Sequence, residues 1–317
     1  VSDAAYRSLA ASFDAKNGGW GGAPKFPQAM AMEFLLRYWK RTGEVAALQM
    51  VRKTAEKMAC GGVYDQLGGG FHRYAVDAVW LVPHFEKMLY DNAQLVRVYL
   101  HLYQAGRHSD DVAEREQAGS FRNIAIETLE YVRREMLDSS GGFYSSQDAD
   151  SEGEEGKFFV WTPDEVIAVL GEADGNAFNE NYDITADGNF EGSSIPNREF
   201  GVQGKDKIDE ARLTEMRSRL FAAREARIKP FRDEKVLTAW NGMMLAAFAE
   251  AAAVLEHDEY RDVAKRNANF LLENLLTSSL PYEGGLVLPI AAETSSKPPL
   301  RSNGEQPRTT PSAQGGH

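Results

Sequence analysis

GGVYDQLGGGFHRYAVDAVWLVPHFEKMLYDNAQL, residues 61–95, carries more reactive side chains than any other window of this sequence. It opens on Gly61-Gly62 and then Gly68-Gly69-Gly70, where a positive φ or a close backbone approach is easily adopted. Pro83 stands where a helix would begin, because the first helical position does not need the N–H that proline lacks. From His84 onward Phe85, Met88, Leu89, Leu95, Val96 and Tyr99 recur at helical spacing. On that helix His84, Lys87 and Asp91 fall within about 60° of one another. An imidazole, an ammonium and a carboxylate then share a stripe beside a loop carrying His72, Arg73, Tyr74 and Asp77, an acid–base and hydrogen-bonding surface. The same trio also reads as ordinary i,i+3 and i,i+4 helix pairs, each worth a few tenths of a kcal/mol. As a whole the window reads as a site between helices.

The flanking sequence supplies those helices. Ser2 to Ala15 is amphipathic, with Tyr6, Leu9, Ala10 and Phe13 on one face. Residues 17–27, NGGWGGAPKFP, hold four glycines and two prolines and must be a loop. Helices are expected over 28–41, 45–59 and 121–137, with a polar connector at 107–119, and again over 206–226, 234–255 and 259–276. Thr162-Pro163-Asp164-Glu165 is a helix start: a cap, a proline at the first position, then acids in the first turn. Lys157–Trp161 has the composition of a short β ribbon. Gly18-Gly19-Trp20, Gly69-Gly70-Phe71 and Gly141-Gly142-Phe143 each follow a helix, an architectural repeat spaced unevenly at about 50 and 70 residues. Helical hairpins with functional loops at one end predict an all-α chain, an α/α toroid or a solenoid. Residues 1–280 are expected to form that body, and 281–317, rich in Ser, Pro, Gly and Thr, a disordered tail.

Composition narrows the function. With 47 acidic and 35 basic residues the formal charge is −12, and no basic face suits nucleic acid. The single cysteine, Cys60, allows no internal disulfide and fits a reducing compartment, so a cytoplasmic or organellar interior is expected. No apolar run approaches the roughly 18 residues of a membrane span, so no membrane partner is expected. The first residues form a helix with neither an initiator Met nor a signal-like core, which reads as a start inside a longer protein.

Asp77, Asp91, Asp148 and Asp150 are the carboxylates expected to converge if the glycine loops share one mouth. Paired carboxylates are what glycoside hydrolysis needs. Crowding of Asp148, Asp150, Glu152, Glu154 and Glu155 would raise one or more pKa values and supply a general acid. His72 and His84 join the catalytic candidates. Trp20, Arg73, Tyr74, Trp80, Lys87, Tyr90, Trp240 and Asn241 are the binding candidates, the tryptophans with Trp161 as stacking faces, though aromatics at helical spacing are more often core. Trp240-Asn241-Gly242 early in a helix costs propensity and needs a packing or ligand reason. Asp148-x-Asp150-x-Glu152-Gly153 mimics the start of a calcium loop but meets Phe159 where a bidentate Glu belongs, and DITADGNFEGSS ends the same way on Ser194. No metal or other cofactor is expected. No nucleophile elbow or phosphate-binding glycine fingerprint is present.

These motifs together resemble the family of spermatogenesis-associated protein 20 and its bacterial YyaL-type relatives. The resemblance is carried by GGWGGAPKFP (18–27), the window at 61–95, GGFYSSQDADSEGEEGKFFVWTPDE (141–165), DGNFEG (187–192) and DEKVLTAWNGMMLAAFAEA (233–251). It implies a thioredoxin-like domain, absent from this chain, followed by a six-hairpin, glycosidase-like (α/α)6 toroid. With about seven of twelve long helices counted, a partial toroid ending early is expected. A carbohydrate-related role follows from the resemblance: sugar epimerase, isomerase or glycoside hydrolase-like chemistry on a sugar or polyol. A non-catalytic binding or scaffold module is the alternative. An uncovered flank of the toroid would favour self-association.

Overall fold

A computed structural model of the chain describes residues 1–201 and 209–276. The chain enters through α1 (Ser2–Ser12) and then folds as helical hairpins. α2 (Ala29–Thr42) turns into α3 (Val45–Cys60) at Gly43, whose φ of 78° is left-handed and whose N–H closes on Trp39 O. Glycine takes that cap conformation without a Cβ penalty. The second hairpin is α4 (Leu89–Gly106) and α5 (Val112–Tyr131), the latter ending in a π turn over Val132–Met136.

Between α3 and α4 lie β1 (Tyr74–Ala75), β2 (Pro83–His84) and β3 (Lys87–Met88); after the π turn come β4 (Ser146–Gln147), β5 (Asp150–Ser151) and β6 (Glu154–Glu155). α6 (Pro163–Leu170), α7 (Glu172–Asn181), α8 (Glu210–Arg224) and β7 (Arg232–Asp233) complete a long insertion. The third hairpin, α9 (Thr238–Leu255) and α10 (Asp258–Asn274), follows it.

α4 packs against α2, α5 and α9, and α3 against α5. The result is a partial α/α toroid, with α2, α4 and α9 forming the layer toward the axis and α3, α5 and α10 the layer outside. Leu95, Val96, Tyr99 and Leu100 of α4 are fully buried between the layers. Burial at about 1.5–3 kcal/mol per large side chain makes this helix the spine of the fold. The insertion has a core of its own around Trp161, Val166, Phe178, Tyr182, Leu213 and Leu220, joined to the toroid through Phe85, Phe158, Phe159 and Ile195.

Short turns close the hairpins at one end of the helices, and the glycine loops gather at the other. Lys25 and Ala75 exchange backbone hydrogen bonds of 2.8 and 2.9 Å. β3, β4 and β7 form one antiparallel sheet with Lys87 opposite Gln147 and Gln147 opposite Arg232. Tyr74 pairs with His84 across β1 and β2.

The architectural repeat extends into the helices. Asn92, at the fourth position of α4, accepts from Phe71 N at 2.7 Å and donates to Phe71 O at 3.1 Å. Asn241, at the fourth position of α9, grips Phe143 N at 2.7 Å and Phe143 O at 2.9 Å. Seven residues on, Tyr99 stacks on Phe71 and Phe248 on Phe143. Phe71 and Phe143 are thus each clamped by the first turns of the helix behind them.

Several element boundaries differ from the sequence reading. The helix expected from His84 begins at Leu89, because 83–84 and 87–88 are drawn into β ladders by tertiary pairing. His84 and Lys87 therefore do not share a helical stripe with Asp91. Most of the expected 107–119 connector is helical: Asp111 caps Ala113 N, and the charged residues that looked like loop lie largely on the solvent side. Residues 157–161 form no ribbon; the short ladder is β5–β6. α8 and α9 are seen from Glu210 and Thr238. α6 starts as expected, with a complete capping box between Thr162 and Glu165. α9 also overturns the reading that no run approaches a membrane span: its 18 residues have a mean hydropathy of 1.2. Here it lies between α4 and α10. The expected tail at 281–317 lies outside the described residues.

Candidate active site

Two ionic clusters occupy the loop end, and both draw on the 61–95 window. The first is sealed. Asp65, from the glycine loop, receives Arg224 of α8 at 2.8 and 2.9 Å and Lys87 of β3 at 2.8 Å. Lys87 also donates to Gly69 O at 2.9 Å and sits 4.3 Å above the Tyr131 ring. Gly68 leaves room for the Asp65–Arg224 pair, since a Cβ there would lie 2.2 Å from an Arg224 nitrogen and displace it. Burial pulls the Asp65 carboxyl upward, but Arg224 and Lys87 outweigh it and hold it well below the carboxylate range. Burial lowers Lys87 to about 8 against the pull of Asp65. Cavities of about 10 Å³ flank the cluster, each the size of a single water. His72 belongs to this interior: Nδ1 donates to Phe85 O at 2.7 Å, the ring lies edge-on to Phe85 and Phe159, and burial pushes its pKa down to about 3. It is a neutral packing group at physiological pH.

The second cluster is open toward the axis. Arg73 donates to Glu86 at 3.0 Å, and Nε2 of His84 lies 3.8 Å from the same carboxylate. Nδ1 of His84 donates to Glu155 of β6 at 2.7 Å, so the insertion contributes directly. Behind Arg73, in the first turn of α4, Tyr90 and Asp91 feel its charge. The Asp91 Oδ2 is buried with no hydrogen-bond partner. Burial pushes Asp91 up to about 7, with Glu86 adding to the rise and Arg73 and Tyr90 opposing it. Trp240 meets Tyr90 edge-on at 4.7 Å. Asp91 and Trp240 each immediately precede a clamping asparagine, so they hold equivalent positions on neighbouring inner helices.

Deeper along the same face, His101 donates to Glu33 of α2 at 2.8 Å and to Glu250 of α9 at 2.6 Å. Arg37 pairs with Glu33 and Arg97 with Glu250. This belt ties three parallel helices together. The hydrogen bonds to Glu250 and Glu33 raise His101 to about 9.

The structure thus gathers Arg73, Tyr74, His84, Tyr90, Asp91 and Trp240 and leaves the other candidates elsewhere. The four aspartates do not converge. Asp77 is spent on its own loop, accepting from Val79, Leu81 and Val82 N at 2.7, 3.2 and 2.5 Å. Asp148 and Asp150 are exposed; Asp148 accepts from Ala149 N, and Asp150 stands opposite Glu155 in the β5–β6 ladder, at the edge of the open cluster. Trp20 and Trp80 are buried, their indole N–H groups donating to Leu9 O and Asn17 O at 3.0 Å. Trp161 is buried under the Arg227 guanidinium. Asn241 has the packing role described above, which explains its place in α9. Lys87 is sealed under Tyr131. No group of His, Cys, Asp or Glu among the described residues could hold a metal ion.

Sequence reasoning named Glu155 only as one of five crowded carboxylates and missed Glu86, which nothing local marks, and the Glu33–His101–Glu250 belt, which joins three distant helices. The asparagine in the fourth helical position was a readable signal, because it follows a glycine-pair aromatic in both hairpins.

No protein-family model matches the chain. It is 36% identical to spermatogenesis-associated protein 20 of Homo sapiens, over 87% of this chain and 38% of that protein. The Mus musculus protein is 34% identical over 86% and 38%, and an uncharacterised Caenorhabditis elegans protein 31% identical over 84% and 40%. The chain therefore spans about two fifths of the length of these curated relatives. Among solved structures, a family 76 glycoside hydrolase from a bovine Bacteroides thetaiotaomicron strain is 13% identical over 86% of this chain and 43% of that one, with a TM-score of 0.49. A D-mannose isomerase is 9% identical over 86% and 50%, also at 0.49. Likenesses at this level say nothing of what this chain binds.

Proposed function

For a chain that resembles spermatogenesis-associated protein 20 over most of its length, we propose acid–base chemistry on a sugar or polyol at the open cluster, with Asp91 moving the proton. The observation that carries this reading is the Asp91 carboxyl: buried, one oxygen without a partner, and pushed up to about 7. Such a group is both donor and acceptor at neutral pH, which suits a general acid or base. The half-buried ring of Trp240 offers an apolar surface for the C–H side of a sugar, while Arg73, Tyr90 and Glu86 offer hydrogen bonds to hydroxyls.

Epimerisation or isomerisation fits this set better than hydrolysis. Asp91, as its carboxylate, takes the proton from the carbon beside the sugar carbonyl, and the Arg73 N–H groups that Glu86 does not occupy donate to the oxygen of the resulting enediolate. Asp91 then delivers that proton to the former carbonyl carbon while the remaining hydroxyl proton passes from one enediol oxygen to the other, which gives the isomer and restores the Asp91 carboxylate. Hydrolysis needs a second carboxylate beside the acid, and Glu86 is already neutralised by Arg73. A binding module without turnover is the second reading, favoured by the internal pairing of Arg73, Glu86 and His84.

A panel of aldoses, ketoses and disaccharides incubated in D2O and followed by NMR tests these readings. Deuterium appearing at the carbon beside the carbonyl, lost by more than about tenfold in Asp91→Asn, is the expected result. Release of reducing ends instead assigns a hydrolase, and binding without either change assigns the module.

A further inference from the structure

The sealed cluster holds one more positive charge than its own residues balance. Asp65 is a single carboxylate, and both Lys87 and Arg224 spend their charge on it. All three are more than nine-tenths buried. The ion pairs around them cancel among themselves. Arg134 meets Glu135 at 2.8 Å, and Lys229 meets Glu135 at 3.0 Å and Glu225 at 2.7 Å. Among the described residues, four cations and three carboxylates therefore line the cavity of about 10 Å³ beside Tyr131.

Hydrogen-bond donors are in surplus at the same place. Arg224 gives both terminal nitrogens to Asp65, while its buried Nε–H has no partner among the described residues. Lys87 carries three N–H groups; two reach Asp65 and Gly69 O, and the third is left with the ring faces of Tyr131 and Phe159. Gln147 accepts from Tyr131 Oη at 3.2 Å through its carbonyl oxygen, which leaves its N–H2 group to donate. Burial lowers Lys87 to about 8, and the Arg224 charge adds to that fall against the pull of Asp65. A water can accept from these N–H groups but offsets no charge, and a buried cation without a counter-charge is strongly unfavourable.

We propose that this cavity binds one monatomic anion, a halide with chloride as its natural occupant, held by Arg224 Nε, the third Lys87 N–H and the Gln147 amide. A single negative charge closes the balance at four against four. The volume admits one small sphere and excludes sulfate, phosphate and carboxylates. Tyr131, Phe158 and Phe159 wall the cavity with rings, and in such low-polarity surroundings charge-assisted hydrogen bonds are strong. Arg224 comes from α8 of the insertion and Lys87 from β3 at the loop end of the toroid, so the anion ties the one to the other. The site moves no proton and stands apart from the role given to Asp91.

Thermal melts of the full chain at constant ionic strength test this, with sodium chloride or sodium bromide replacing sodium gluconate step by step. Either halide should raise the melting temperature by about 2–4 °C and then level off, as one saturable site requires. Bromide-soaked crystals should show an anomalous peak within hydrogen-bonding reach of Arg224 and Lys87. Gln147→Glu, which can still accept from Tyr131, supplies the counter-charge from the chain itself and should abolish the halide response. Lys87→Met removes the surplus charge and should do the same; if that variant fails to fold, Gln147→Glu and the wild-type series decide. Equal melts in chloride and gluconate overturn the site, as does a halide response that persists in Gln147→Glu. A bromide peak without any stability response marks an adventitious ion only and overturns it as well.

Discussion

Asp65 and Asp91 come from one 35-residue window and meet opposite fates. Asp65 is fully enclosed and saturated: a bidentate arginine and a lysine answer both oxygens, and that lysine's charge also lies over an aromatic face. Asp91 is nearly as deep, yet one of its oxygens has no partner and its nearest charge, Arg73, is committed to Glu86. Desolvation acts on both carboxyls in the same direction. In the sealed cluster two cations outweigh it, and Asp65 stays ionised; in the open one nothing does, and Asp91 rises to about 7. A satisfied buried charge holds structure, whereas an unsatisfied buried carboxyl takes up its proton near neutral pH.

The largest effect that separates them is on stability. Asp65→Ala strands Arg224 and Lys87 in the interior, and chemical denaturation should show a loss of about 3–5 kcal/mol. Asp91→Asn should cost no more than about 1 kcal/mol while lowering turnover by more than about tenfold. Equal destabilisation by the two substitutions would break the comparison.

The pH dependence of Asp91 sharpens it. Its carboxyl titrates near 3.8 when unfolded and near 7 when folded, so the folded state holds the proton more tightly. The stability this provides is whole below pH 3.8 and is lost as pH rises through 7. Melts of wild type minus Asp91→Asn should therefore decline across that window.

His101 gives a smaller effect of the same sign at higher pH. Its pKa moves from 6.5 unfolded to about 9 folded, so the belt is intact below 6.5 and released as pH passes 9. His101→Gln should cost about 1–3 kcal/mol near pH 6, in the range of a charged hydrogen-bonded pair. By pH 10 the difference from wild type should have shrunk.

The smallest effect belongs to the outer flank of α9 and α10. There Leu245, Ala249, Ala252, Ala253, Ala264 and Ala268 line an apolar groove of about 330 Å³ rimmed by Arg261 and Lys265. We propose self-association of the chain through this groove. Wild type should bind a hydrophobic dye and scatter light in a concentration-dependent way, and Ala253→Asp should reduce both.

Much of this molecule was legible before its structure. Helical periodicity in 29–42, 45–60 and 238–274, the glycine-pair aromatics, and the Thr162–Glu165 cap are local signals, set by one turn of chain or by one repeating face. They determine an all-α hairpin architecture with its loops at one end, and they mark 61–95 as the window holding the ionic clusters. The sequence did not determine which side chains in that window face the axis. Residues 83–88 have helical spacing yet lie extended, because β1 and β4 pair with them from about 10 and 60 residues away along the chain. That pairing turns Lys87 inward to Asp65, brings His84 to Tyr74 and Glu155, and leaves Asp91 to start the helix alone. Whether a carboxylate is a strut or a proton donor depends on which distant cation reaches it first. Only the tertiary structure decides that, since Arg224 is 159 residues from Asp65.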